Sequence, residues 1–191
     1  MIYRINLKYI TYIVIAAIII GILHKNETAL LILLGFIVLY KILKEPKKSR
    51  GPLLLGMIVT GTLGVIIEYF GTKWNYWEYH DVLGQLPTYL YFVWMLAFAF
   101  LYSLEKKIFT YYNQITTSKR ILIFLLIVLI YPTLGEIVTI YFGVWTYYFP
   151  YQFYGVSYHT IISIAAVHIF INYLLSIYYK KMNIKDVVLN P

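Results

Sequence analysis

The sequence predicts an all-α fold, a polytopic integral membrane bundle of about six transmembrane helices with a parallel internal repeat. Three observations carry this expectation. The 191 residues are 61% hydrophobic and 13% charged, with a mean hydropathy of +0.73, whereas soluble domains run at about a quarter charged. Apolar runs recur at lengths near the roughly 20 residues that a helix needs to cross a bilayer. Basic residues gather in alternate connections between those runs.

The first run, residues 7–23, follows Arg4 and Lys8. It has no A-x-A-like cleavage site before His24, so a retained helix is expected rather than a signal peptide. The second, 29–43, is the shortest, and Lys41 and Lys44 extend it by snorkelling. The remaining four are 52–70, 87–104, 121–142 and 160–179. All are continuously apolar and longer than a buried strand, which excludes a sheet reading. The whole chain, 1–191, is expected to form a single transmembrane domain.

The basic residues orient the bundle. Lys41, Lys44, Lys47, Lys48 and Arg50 lie at or between the second and third runs; Lys106, Lys107, Lys119 and Arg120 lie between the fourth and fifth. Lys180, Lys181 and Lys185 follow the sixth, while Lys25 and Lys73 fall on the opposite side. The positive-inside rule then predicts a multi-pass protein of the cell membrane with both termini in the cytoplasm. The formal charge of +8 is thereby assigned to topology and not to nucleic acid. The expected partners are membrane lipids and a lipophilic small molecule, with homo- or hetero-oligomers left open. The absence of cysteine excludes disulfides, zinc-thiolate sites and cysteine nucleophiles.

The repeat is expected over units 52–105 and 121–179, helices three and four matching five and six. "TLGVIIEYFGTKWNY" at 62–76 lies without a gap on "TLGEIVTIYFGVWTY" at 133–147. In that register Trp74 and Tyr76 meet Trp145 and Tyr147, while Glu68 meets Thr139 and Glu136 meets Val65. The two glutamates are thus expected at different depths.

Ionisable groups inside a membrane are costly and face an interior, a water-filled cavity or a partner. Glu136 lies about 9 Å below the outer end of helix five at the helical rise, and Glu68 within about a turn of the end of helix three. Both are candidate acid/base groups. His168, with Asn172 on its face, is expected at the level of Glu136 and is read as its partner. Trp94, Tyr91 and Tyr131 fall near that level, and Trp74, Trp145, Tyr76 and Tyr147 in outer loops that form an interfacial lid. Aromatic faces of this kind also stabilise cations. No two histidines have metal-ligand spacing, and no phosphate loop, nucleophile elbow or dinucleotide fingerprint occurs, so neither a metal nor an organic cofactor is expected.

A helix-borne glutamate, a following glycine, a W-x-Y step and a loop to Pro and Trp on the next helix are present as Glu68, Gly71, Trp74, Tyr76, Pro87 and Trp94. This pattern resembles small polytopic carotenoid-biosynthesis proteins of the hydratase and heterodimeric lycopene-cyclase type. The resemblance implies acid-initiated chemistry on an isoprenoid double bond without an organic cofactor. Adjacent paired acids, associated with the cyclases, are absent here.

The leading expectation is a membrane enzyme that protonates, isomerises, cyclises or hydrates a lipophilic, isoprenoid-like substrate. Glu136 is its proton donor or acceptor, with His168 and Glu68 assisting. One alternative is a non-enzymatic substrate-binding subunit of a vitamin-type transporter. A second is a structural or sensory protein whose acids only lock helices together.

Overall fold

A computed structural model describes residues 2–112 and 114–190. Of the single-domain expectation, Met1, Asn113 and Pro191 lie outside the described residues. Six helices are present: α1 (Ile2–Leu23), α2 (Glu27–Lys44), α3 (Lys47–Lys73), α4 (Leu90–Tyr111), α5 (Thr117–Tyr141) and α6 (Tyr158–Lys181). Three of them, over Ser49–Lys73, Thr117–Tyr141 and Tyr158–Lys181, are long and apolar enough to cross a membrane. Their ends run past the apolar runs, because lysines and threonines at helix termini keep their backbone bonds while their polar heads reach outward.

Helices α3 to α6 form a four-sided ring. α3 packs on α4 and α6, and α5 packs on the same two, so α3 faces α5 and α4 faces α6 across the centre. Gly56 makes the lower α3 contact close: a Cβ there would lie 2.2 Å from the Phe98 ring and 3.1 Å from Leu175. Phe98, Met57, Ile171, Leu175 and Tyr179 are the buried centre of this region. α1 lies on α5 and α2 on α4, outside the ring. Pro132 is carried inside the unbroken helix α5.

The two long helices that lead to the site end in the same way. Asn75 (φ 56°) and Gly143 (φ 73°) adopt left-handed backbone just past the caps of α3 and α5. Their N–H groups bond back to the carbonyls of Thr72 (3.1 Å) and Ile140 (2.8 Å), and those of Tyr76 and Val144 to Gly71 (2.8 Å) and Thr139 (3.1 Å). This termination satisfies the last orphan carbonyls and turns the chain back over the bundle. Asparagine and glycine tolerate the left-handed region best, which is why they occupy these two positions.

Each chain then enters a three-residue strand, β1 (Trp77–Tyr79) or β2 (Trp145–Tyr147). The strands pair antiparallel, with Trp77 opposite Tyr147, Glu78 opposite Thr146 and Tyr79 opposite Trp145. His80 N–H to the Val144 carbonyl (2.9 Å) and Tyr148 N–H to the Tyr76 carbonyl (2.9 Å) close the two ends of the ribbon. A small hairpin, β3 (Gln152–Phe153) with β4 (Val156–Ser157), leads into α6. Lys73, Trp77, Tyr79 and Leu90 correspond to Tyr141, Trp145, Tyr147 and Tyr158 at one constant step along the chain. In this correspondence Glu68 falls on Glu136, not on Thr139.

Candidate functional site

Strand alternation places Trp77 and Tyr79 on one face of the ribbon and Glu78 on the other, with Trp145, Tyr147 and Thr146 arranged likewise. The inner face meets the two glutamates. Glu68 Oε2 accepts from Trp77 Nε1 at 2.7 Å and Tyr79 OH at 2.9 Å, residues 9 and 11 positions further on. Glu136 Oε2 accepts from Trp145 Nε1 at 3.2 Å and Tyr147 OH at 2.7 Å, again 9 and 11 positions further on. Each half-site is therefore a helix-borne carboxylate capped by an indole and a phenol from the strand that its own helix leads into.

The expected register is corrected here. Residues 74–76 and 77–79 both read W-x-Y, and the structure gives the second step, not the first, to Glu68. With that shift the glutamates hold matching positions, and the expected offset in depth disappears.

The half-sites differ at one point. Trp94 of α4 adds a third donor, its Nε1 lying 3.3 Å from Glu68 Oε1. The indole lies flat against α3 because Gly64 is bare: a Cβ there would fall 2.2 Å from Trp94 Cγ. Gly71 does the same for Trp77, whose ring a Cβ would meet at 2.0 Å. On α6 the position matching Trp94 is Ile162, which is 65% exposed.

Both glutamates line one cavity of about 500 Å³. Phe70, Trp74, Tyr76, Trp77, Trp94 and Tyr147 supply its aromatic walls, and His159, Thr160, Ser163, Ile164 and Val167 supply the α6 wall. His159 stacks on Phe149 there, with ring centroids 4.5 Å apart. Burial, then the fields of the neighbouring carboxylates, pushes the Tyr79 and Tyr147 phenols well above their usual range. Both therefore act as fixed O–H donors throughout the physiological range.

Four expected site residues lie elsewhere. His168 does not reach Glu136; its Nε2 is 2.7 Å from Glu105 Oε1 on α4. Asn172 joins this cluster, its Nδ2 3.3 Å from Glu105 Oε2. The physical reason is depth and direction: Glu136 lies five residues from the end of α5 and His168 ten from the start of α6, and the imidazole points across the centre to α4. Tyr131 is buried in a cluster with Leu101, Leu104 and Ile108, its ring 5.8 Å from Phe100. Tyr91 packs against Gly61 in the α3–α4 contact. Trp145 caps Glu136 without forming part of the cavity wall.

Outside the cavity, Glu27 ties down the connection into α4. Its carboxylate accepts from the backbone N–H of Leu83 (2.9 Å) and Thr88 (2.7 Å). Asp81 of the same connection lies 3.2 Å from Lys25, whose hydrogen bond and then whose charge hold its carboxyl below the usual range. Among the described residues no three His, Asp or Glu side chains gather into a metal-binding group.

Fold and site together define a class: a helical protein with membrane-length apolar helices and a paired-glutamate cavity under an aromatic ribbon. No family model, curated protein or solved structure matches the chain.

Proposed function

We propose that the chain is a six-span integral membrane enzyme that performs acid/base chemistry on a lipophilic, isoprenoid-like substrate. One observation carries this reading: two helix-borne glutamates with matching donor sets face one aromatic-walled cavity. The helix–ribbon–helix halves, α3–α4 and α5–α6, are read as a parallel repeat whose two copies each contribute one acid.

The chemistry needs no electron carrier. Transfer of a carboxylic proton to an alkene carbon forms a C–H bond and leaves a carbocation on the neighbouring carbon. Indole and phenol faces stabilise such a cation. Loss of an adjacent proton to a carboxylate restores a double bond, giving isomerisation or, after ring closure, cyclisation. Addition of water instead, with release of its proton, gives hydration. In each route the proton released, from the neighbouring carbon or from the added water, returns to the carboxylate that gave one, so the pair ends as it began.

The test is deuterium incorporation. Purified protein in nanodiscs is incubated with acyclic isoprenoid polyenes in deuterium oxide, and products are weighed by mass spectrometry. Deuterium at carbon is expected with wild type and absent with Glu136→Gln. A wild-type protein that incorporates none across polyenes of several lengths, and co-purifies with a water-soluble molecule instead, would overturn the enzyme reading.

A further inference from the structure

We propose that Trp94 is a positioning residue that makes the two half-sites unequal, fixing the negative charge of the pair on Glu68 and leaving the transferable proton on Glu136. This inference rests on the acid/base reading above and divides its labour.

The ribbon treats the glutamates alike, giving each one indole and one phenol on Oε2. Donors to a carboxylate favour its charged form, and a charge on one of two carboxylates that share a cavity disfavours a charge on the other. With equal donor sets the single charge would have no preferred seat. The tie is broken outside the ribbon, on α4. Trp94 Nε1 approaches Glu68 Oε1, so both oxygens of Glu68 are held by donors. Both glutamates line the cavity, but among the described residues Glu136 Oε1 has no such donor.

The asymmetry is built into the backbone. Gly64 provides the gap into which the indole fits, whereas the corresponding position of α5 is Pro132 and that of α6 is Ile162. The second half-site thus lacks the third donor and the bare backbone against which it packs. An acid whose second oxygen has no protein donor, in a residue that lines the cavity, is the one placed to give its proton to a substrate. An anion held on both oxygens is oriented to stay where it is and stabilise a cation.

The test reads protonation directly and needs no turnover. The infrared carbonyl band that Glu136→Gln retains and the double variant Glu68→Gln/Glu136→Gln loses reports Glu68; the band that Glu68→Gln retains and the double variant loses reports Glu136, so a contribution from the buried Glu105 cancels. The Glu136 band is expected to persist to a pH higher by about one unit or more, the scale of one hydrogen bond to a charged group. Adding Trp94→Phe to Glu136→Gln should raise the Glu68 midpoint until the gap closes, while Trp94→Gln, which keeps a side-chain N–H, should restore most of it. Trp94→Phe added to Glu68→Gln should leave the Glu136 midpoint in place. Gly64→Ala, which pushes the indole away without removing it, is the second route and should mimic Trp94→Phe. Equal midpoints in the two single variants, or a gap that survives both Trp94→Phe and Gly64→Ala, would overturn the proposal. Either result leaves the deuterium experiment free to succeed or fail on its own.

Discussion

Trp77 and Tyr147 meet edge to face, ring centroids 5.7 Å apart, although Trp77 donates to Glu68 and Tyr147 to Glu136. Tyr79 and Trp145 repeat the crossing at 5.5 Å. The rings that hold one glutamate are thus clamped by the rings that hold the other. The half-sites are therefore predicted to be coupled in energy. Tyr147→Phe keeps the ring and loses the O–H, at a cost of about 1–3 kcal/mol for the donor removed from a buried acceptor. In a cycle of Trp77→Leu and Tyr147→Leu, the ring contact should appear as a coupling of about 0.5–1.5 kcal/mol. Thermal unfolding in detergent measures it, and strict additivity would remove the coupling.

The same phenols set an alkaline limit on stability. Tyr79 and Tyr147 are held neutral well above their usual range by burial first and the carboxylates second. In the unfolded chain they release their protons near about pH 10. Below that pH both states hold the protons and these groups add no pH dependence. Above it the unfolded chain loses protons that the fold retains, so stability falls as pH rises towards the folded value. Ultraviolet titration should show two phases, with these two buried phenols ionising in the later one. The double variant Tyr79→Phe/Tyr147→Phe should leave that first phase unchanged while removing part of the alkaline loss of stability. An early phase that shrinks in the variant contradicts the assignment.

Glycine positions separate site packing from ordinary helix preference. Gly71→Ala places a Cβ 2.0 Å from the Trp77 ring, and the indole is pinned by Glu68, so the ring has no cheap way to yield. A loss of about 1–3 kcal/mol is expected, as for overpacking elsewhere. Gly51 of α3 has nothing within 4 Å of the same built atom. Gly51→Ala should gain up to about 1 kcal/mol from helix propensity. Equal effects at the two positions would show that Trp77 does not depend on the bare backbone.

Much of the fold was legible because continuous apolar runs allow little else. The six helices were readable from hydropathy, though their ends were not, and one missed end had consequences. Apolar character in the fourth run stops at Leu104, which leaves Glu105, beside Lys106 and Lys107, outside the expected helix. Instead α4 continues to Tyr111 and Glu105 is 0% exposed. Both acids of the cavity stood out as charges within apolar helices, but their common frame was hidden by two consecutive W-x-Y steps. The ribbon itself was beyond reach: three residues are too few to show alternation, and its partners lie far apart in sequence. The match of His168 to Glu136 rested on depth alone, and the true ends of α5 and α6 put the imidazole about a turn deeper than the carboxyl.

The Glu105–His168 pair supplies the remaining prediction. Glu105 is fully buried, His168 is 4% exposed, and their contact joins α4 to α6 across the bundle centre. Phe98 and Phe124 flank the imidazole at 5.9 and 5.8 Å. Removing one partner leaves a buried polar group with only Asn172 to satisfy it, whereas removing both leaves apolar surroundings able to close. His168→Leu is therefore expected to cost about 3–5 kcal/mol, and the double variant Glu105→Leu/His168→Leu to recover most of that loss. Because neither residue borders the cavity, the double variant should also keep the infrared midpoints of Glu68 and Glu136. A double variant less stable than His168→Leu would mean that the pair contributes more than mutual satisfaction. Shifted glutamate midpoints would mean that the two buried clusters communicate along the bundle axis.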